Sequence, residues 1–372
     1  MYKTEQIVRS LWSSPRYGDR MTDTTRTAMI IGGTGQIGSA AARRLAVDGW
    51  SVLLAHRGPH LGDTELADLD VTSIRLDRDD TDALLDRARG HDLVLDTVAY
   101  EPRHADQLAQ LAGDVGSLVV VSTGSVYVGA DGGYLDVVTG PDDFPRYPVP
   151  LRESDPTVDN DKRTYSPLKA AMERRLLAVD DLPVSILRPG AIQGPFSPAL
   201  REWYFIKRAL DGRKRIVLSD DGTNRLSTSS TVNIAELVAL CAAQPGRRVL
   251  NAVDRDDLSV AEIARIIFRA LDHDVEIVAF PGPPIDGVGS TPWTVAHPLL
   301  LSMTAATVEL GYRQSVTYAE AVESTIDWTV REVLAAERRQ ETWEAVFPNL
   351  VERARTDRWF DYAAEDAFVA AR

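Results

Sequence analysis

The sequence predicts an α/β protein built on a doubly wound parallel sheet, with a smaller C-terminal substrate-binding lobe. Three observations carry that expectation. Short apolar runs alternate with longer amphipathic runs from about residue 27 to residue 190. The short runs are near-continuously apolar, as in "HDLVLDTVA" and "GSLVVVST", which is the pattern of strands covered on both faces. A glycine-rich turn separates the first strand from the first helix.

Taken in order, "TAMIIG" is a strand and "QIGSAAARRLAVDG" a helix stopped by Gly49. "SVLLAH" and "TSIRLD" are the next two strands. "TDALLDRARG" is a helix with a polar start and a glycine stop. "HDLVLDTVA" is a strand, "RHADQLAQLAGD" a helix and "GSLVVVST" a strongly β-branched strand. Residues 129–162 are rich in Gly, Pro and Asp without a period, so they read as a long loop beside the site. The helix in "RTYSPLKAAMERRL" follows, then the strand "PVSILRPG". Beyond residue 190, "LREWYFIKRALDG", "VNIAELVALCAAQ" and "SVAEIARIIFRAL" are helices, the last capped by Ser259. "DVEIVAF" is a strand, "GPPIDGVGSTP" a loop, and the tail from about 302 is helical. The expected organisation is a loose extension over 1–25, a cofactor domain over 26–190, and a mixed lobe with C-terminal helices over 191–372, some of it returning to the main sheet.

Composition narrows the function. Of 372 residues, 44% are hydrophobic and 26% charged, which supports a packed core. The net charge of -14 repels a phosphate backbone, so nucleic acid is not an expected partner. The single cysteine, Cys241, excludes a disulfide within the chain and a cysteine-rich metal site, and no metal is expected. No stretch is apolar enough to span a membrane, and residues 1–20 lack the apolar core of a signal peptide. Met21 is a candidate start, and the expected location is the cytoplasm.

The chemistry sits in two motifs. "IIGGTGQIGSAA" spaces Gly32, Gly35 and Gly38 three apart between a strand and a helix. Such glycines let backbone approach a pyrophosphate, and the helix N-terminus adds free N–H groups and a favourable dipole. "RTYSPLKAAMERRL" places Tyr165 and Lys169 four apart, on one helix face. Proton transfer to or from a carbonyl oxygen needs such a donor, and a nearby cation is expected to lower the phenol's high pKa.

The GxxGxxG turn, the "STGSVY" strand end and the Tyr-x-x-x-Lys helix, in that order, resemble the extended short-chain dehydrogenase/reductase superfamily, the NAD-dependent epimerase/dehydratase family. The resemblance runs from about 27 to about 335 and implies a Rossmann-like fold binding a nicotinamide dinucleotide. It implies catalytic roles for Thr123, Tyr165 and Lys169: Tyr165 as acid/base, Lys169 tuning it and holding the ribose, Thr123 orienting the substrate oxygen. It implies cofactor contacts from Gly32, Gly35, Gln36, Ile37, Gly38, Asp77, Thr97, Val98, Ala99, Ser122, Pro189, Gly190 and Ile192. The second strand ends in His56 and Arg57 where a ribose-binding carboxylate is usual. Arg57 suits a 2′-phosphate, so NADP is expected over NAD.

Substrate contacts fall on Tyr100, Ser125, Gln193 and Arg225. Gln193 stands where the family often has tyrosine, and Arg225 resembles the diphosphate-contacting arginine of sugar-nucleotide members. The dehydratases of the superfamily carry Asp-Glu after the threonine, whereas this chain has Gly124 and Ser125, which argues against dehydration. The expected function is an NAD(P)-dependent oxidoreductase acting at a secondary alcohol or ketone of a sugar-like, sugar-nucleotide or natural-product substrate. The alternatives are an epimerase that retains NAD, and a non-catalytic NADP-binding sensor or RNA-associated protein. A small-molecule substrate is the expected partner, and a homodimer is possible.

Overall fold

The structure is a computed structural model that describes residues 25–58, 66 and 69–372. The expected loose extension lies outside the described residues except for residue 25. Seven parallel strands form the central sheet: β1 (Thr27–Ile31), β2 (Ser51–His56), β3 (Val71–Arg75), β4 (Leu93–Asp96), β5 (Leu118–Val121), β6 (Val184–Pro189) and β10 (Arg248–Ala252). Their spatial order is β10-β6-β5-β4-β1-β2-β3. The order reverses between β1 and β4, and ligands of such sheets bind at the strand C-termini beside that reversal.

Double winding follows from alternation within strands that are apolar on both faces. Ala28 and Ile30 of β1 join one core with Ala41 and Leu45 of α1 (Gln36–Val47) and with Ile234, Leu237 and Cys241 of α6 (Thr231–Ala243). Met29 and Ile31 join the other core with Leu84 of α2 (Thr81–Ala88), Leu108 of α3 (Pro102–Ala109), and Met172 and Leu176 of α4 (Tyr165–Leu177). Cys241 is fully buried, and burial pushes its thiol pKa up to about 11, so it behaves as a small hydrophobe.

The chain beyond β6 is mixed, and part of it returns to the main sheet. β7 (Ala191–Gln193) pairs with β9 (Thr228–Ser230), and β8 (Arg215–Leu218) pairs with β11 (Glu276–Ala279), as two small parallel sheets. β10 rejoins the main sheet beside β6. α7 (Val260–Ala270) starts at a capping box between Ser259 and Glu262, as its sequence requires. The helix expected in "LREWYFIKRALDG" starts later, as α5 (Trp203–Leu210). α8 (Thr304–Leu310) leads to the long α9 (Tyr318–Arg338).

The last helices, α10 (Trp343–Val346), α11 (Pro348–Thr356) and α12 (Tyr362–Ala370), dock on α5 through a fully buried arginine. Arg208 donates to the Tyr204 carbonyl at 3.0 Å, the Trp359 carbonyl at 2.5 Å and Glu365 at 2.5 Å. Its guanidinium lies 3.6 Å from the Tyr204 ring centroid, so the charge is paired and stacked rather than stranded. No helix among the described residues is long and apolar enough to cross a membrane, and none of them group into a metal-binding cluster.

Candidate active site

The glycine turn closes the end of β1. Gly32 has φ +79°, and a Cβ there would lie 2.4 Å from Thr97 Oγ1. At Gly38 a Cβ would lie 2.5 Å from the Gly32 carbonyl and 2.7 Å from Gly33 Cα, both backbone, so neither neighbour can swing aside. The spacing pattern passes over Gly33, yet a Cβ there would meet Leu54 at 2.7 Å. Gly35 is the open one: its nearest neighbour would be 3.5 Å away. It caps α1 without a side-chain hydrogen bond, so the first turn keeps its N–H groups for an incoming anion. These features fit a dinucleotide pyrophosphate. The Ile37 side chain lies in the core.

At the end of β2, the His56 ring folds back so that Nδ1 sits 2.5 Å from the Gly58 carbonyl. Arg57 is exposed, and the strand register sets Arg75 opposite His56. Asp77 is exposed and accepts from the Asp79 N–H at 3.0 Å, while Asp80 caps α2. The next residue carries a feature that motif reading missed. Buried Arg78 donates to Asp96 and, at 2.7 Å, to Gln107. Asp96 accepts in turn from the N–H groups of Val98 at 2.9 Å and Ala99 at 2.7 Å. A carboxylate closing an otherwise apolar strand, "LVLD", was the available signal.

The loop after β4 is therefore held from both sides. Thr97 Oγ1 donates to the Ile31 carbonyl at 3.0 Å, tying the loop to the glycine turn. Val98 is exposed and Ala99 buried. The Tyr100 N–H donates to His104 Nδ1 at 2.9 Å. That bond needs a neutral imidazole, and burial with the nearby Arg78 pushes the His104 pKa down to about 4.

Three predicted residues converge beyond β5. Thr123 caps a short turn over Gly124–Val126, accepting from the Ser125 N–H at 3.1 Å, and its hydroxyl also bonds the Ser125 hydroxyl at 3.1 Å. Tyr165 opens α4 with 42% of its surface exposed, its ring centroid 5.6 Å from that of Tyr100 and its phenol close enough to Thr123 for that hydroxyl to favour the phenolate. Lys169 Nζ lies 6.0 Å from the Tyr165 ring centroid. It donates to the Ala99 carbonyl at 2.6 Å and the Val121 carbonyl at 2.9 Å, which ties the ends of β4 and β5 to α4. Burial pushes its pKa down to about 8.

Two expectations need correction here. The Tyr165 phenol is held above its ordinary value, because desolvation outweighs the pull of the nearby Thr123 hydroxyl while Tyr100 and Asp136 push the same way as desolvation. Lys169 is not among the groups that shift it, and its ammonium donates to two backbone carbonyls. Ser122 does not face the site: its buried hydroxyl donates to Glu173, which also holds Arg188 at 2.5 Å.

At the end of β6, buried Pro189 leads into Gly190, where a Cβ would lie 2.3 Å from the Ser227 carbonyl. Ile192 is half-buried. Gln193 lies under α9, with Oε1 accepting from Thr325 at 2.9 Å and Nε2 buried without a partner. Arg225 is exposed, bridges by backbone to Ser259 and feels Glu262 at the start of α7. No described contact joins Gln193 or Arg225 to Tyr165. A cavity of about 320 Å³ lined by Lys207, Trp343 and Phe360 contains none of the predicted site residues.

The sequence profile of the NAD dependent epimerase/dehydratase family matches residues 28–252. No curated protein sequence matches the chain significantly. The fold is similar to that of a dTDP-glucose 4,6-dehydratase from Bacillus anthracis str. Ames in complex with NAD, with a TM-score of 0.61 at 17% identity over 82% of this chain and 97% of that one. It is similar to a UDP-N-acetylglucosamine 4-epimerase from Methanobrevibacter ruminantium M1 in complex with UDP-N-acetylmuramic acid, with a TM-score of 0.61 at 19% identity over 83% of this chain and 99% of that one. DesIV, a dTDP-glucose 4,6-dehydratase from Streptomyces venezuelae with NAD and TYD bound, gives 0.61 at 23% identity over 82% and 97%. The glycine turn, the convergence of Thr123, Tyr165 and Lys169, and the profile match over more than half of the chain lead to one conclusion: the chain belongs to the NAD dependent epimerase/dehydratase family, and it is an NAD(P)-dependent enzyme of the extended short-chain dehydrogenase/reductase type.

Proposed function

We propose that the enzyme transfers a hydride reversibly at a secondary alcohol or ketone carbon of a sugar-like, sugar-nucleotide or natural-product substrate, with NADP preferred. The carrying observation is the convergence of Thr123, Tyr165 and Lys169, with Lys169 Nζ 6.0 Å from the Tyr165 ring centroid on the same helix. The nicotinamide supplies or accepts the hydride when bound. The Thr123 hydroxyl orients the substrate oxygen, and Tyr165 moves the proton at that oxygen. A phenol is protonated at neutral pH, which suits the donor role of carbonyl reduction. Lys169 keeps the ends of β4 and β5 in register with the helix that carries Tyr165.

Dehydration is disfavoured by shape as well as by residue type. A Cβ at Gly124 would lie 2.9 Å from Leu301 Cδ2 and 3.2 Å from the Pro189 carbonyl, so a carboxylate there would have to displace the Leu301 side chain. The NADP preference rests on β2 ending in His56 and Arg57, where a carboxylate is usual, with Arg75 in register beside His56. Two of the similar structures are described with NAD, and one is a 4-epimerase, which keeps an NAD-retaining epimerase as the second reading.

The test starts with the protein as purified. The protein is denatured, any released nicotinamide is identified by mass, and NAD and NADP are titrated against the emptied site. An empty site with a clear NADP preference supports the reductase, whereas tightly held NAD turns the reading to the epimerase. Tyr165→Phe is expected to abolish turnover while cofactor affinity stays near normal. Unchanged activity in that variant refutes the mechanism.

A further inference from the structure

In the loop after β4, every backbone N–H from Thr97 to Glu101 is taken. Thr97 donates to the Ile31 carbonyl at 3.1 Å. Val98 and Ala99 donate to the buried Asp96 carboxylate at 2.9 and 2.7 Å. Tyr100 and Glu101 donate to His104 Nδ1 at 2.9 and 3.3 Å. The loop is thus held in two halves. The half assigned by resemblance to the cofactor hangs on Asp96, itself anchored by Arg78. The half that carries Tyr100 hangs on one imidazole in the first turn of α3. An imidazole that accepts at Nδ1 carries its proton on Nε2. That nitrogen is buried without a hydrogen bond among the described residues, with Asp79 Oδ1 at 3.8 Å. His104 is 6% exposed, and burial together with Arg78 pushes its pKa down to about 4, which agrees with a neutral ring.

We propose that His104 is a positioning residue for the substrate side of the site: its neutral imidazole fixes Tyr100 beside Tyr165, independently of the carboxylate that holds the cofactor side. This inference rests on Tyr165 being the acid/base. What the imidazole holds reaches the site directly, since the Tyr100 ring centroid lies 5.6 Å from that of Tyr165. The Ala99 carbonyl, one residue earlier, accepts from Lys169 at 2.6 Å, so the loop meets α4 at both of its predicted catalytic residues. The other tie on this half is weak. The Glu101 carboxylate pairs at 3.2 Å with Arg163, two residues before Tyr165, but Arg163 is exposed and pairs of that kind contribute little. A buried acceptor shared by two N–H groups is the stronger restraint, because water cannot replace it. With Tyr100 fixed in this way, its ring is a rigid wall against which the substrate carbon has to fit on its way to the Tyr165 hydroxyl.

The experiment reads the two rings and the dinucleotide separately. Full-length protein is labelled with 3-fluorotyrosine and examined by ¹⁹F NMR, with Tyr100→Phe and Tyr165→Phe assigning the two resonances. Tyr100→Leu gives the Tyr165 resonance without a ring beside it. His104→Leu keeps the bulk and removes the acceptor. Its Tyr165 resonance is expected to move to the position found in Tyr100→Leu, while NAD and NADP affinities in a fluorescence titration stay near wild type, because Asp96 still holds Val98 and Ala99. His104→Asn, whose Oδ1 stands where Nδ1 stood, is expected to restore both resonances. A wild-type spectrum in His104→Leu overturns the proposal. So does a loss of dinucleotide affinity parallel to the ring shift, which general loosening of the loop would give, and so does a shift that His104→Asn fails to restore. His104→Ala serves as a second variant without the acceptor, and failure of both to fold also overturns the proposal, since the imidazole would then only secure the fold. None of these readouts needs a substrate, so failure of the hydride-transfer reading, seen as absence of turnover, is told apart from failure of this one.

Discussion

Glu173→Ala tests the buried network behind the candidate site. Glu173 and Arg188 are 2% and 4% exposed. The guanidinium donates to the carboxylate through Nε at 3.1 and 3.2 Å and through Nη2 at 2.5 Å. Once Glu173 is gone, Arg188 keeps a 3.3 Å bond to the Glu153 carbonyl, a stack 4.8 Å from the Tyr127 ring centroid and the weaker pull of the Glu153 carboxylate, and no carboxylate hydrogen-bonded to it. Ser122 loses its acceptor at the same time. Leaving a buried cation without its partner costs about 3–5 kcal/mol. Folded domains hold about 5–15 kcal/mol in total, so this single change removes a large share of the stability. Equilibrium urea unfolding of the single variants and of Glu173→Met/Arg188→Met measures it. The double variant is expected to lose much less than the sum of the singles, because the stranded charge leaves with its partner. A cost below about 1 kcal/mol for Glu173→Ala, the range of exposed pairs, would refute the picture of a dry, mutually dependent pair.

The remaining predictions concern the cofactor turn and the lysine. Gly38→Ala is expected to weaken dinucleotide binding at least about tenfold, because its methyl meets backbone that cannot move aside. Wild-type affinity in a fluorescence titration would show that the turn relaxes. Lys169 has its pKa pushed down to about 8 by burial, against a value of about 10.4 in an unfolded chain. Below that window both states are protonated and the burial cost is fully present. Between the two values the folded protein sheds the proton first, so wild-type stability relative to Lys169→Met rises with pH, by about 3 kcal/mol over the whole window. Urea unfolding of both proteins at about pH 7 and about pH 9.5 checks the sign, and a flat difference would mean that the ammonium is solvated.

The amino-acid sequence by itself determined the strands and helices of the sheet domain, since apolar periodicity dictates which backbone can bury both of its faces. It also determined the glycine turn, because steric room at Gly32 and Gly38 is a property of neighbours close along the chain or on the adjoining strand. The pairing of Tyr165 with Lys169 was legible for the same reason, since four-residue spacing is local helix geometry, whereas Thr123 was legible only through the family resemblance. Only the tertiary structure decided where the polar ends of these side chains go. Lys169 turns to the carbonyls of Ala99 and Val121, Ser122 turns to Glu173, and Gln193 lies under α9, since each partner comes from an element distant in sequence. Asp136 lay in a stretch without period, so nothing local marked it as the cap of a helix 30 residues downstream. A buried hydrogen bond is chosen by whichever donor and acceptor packing brings together, and that choice is made when the layers close, not along the chain.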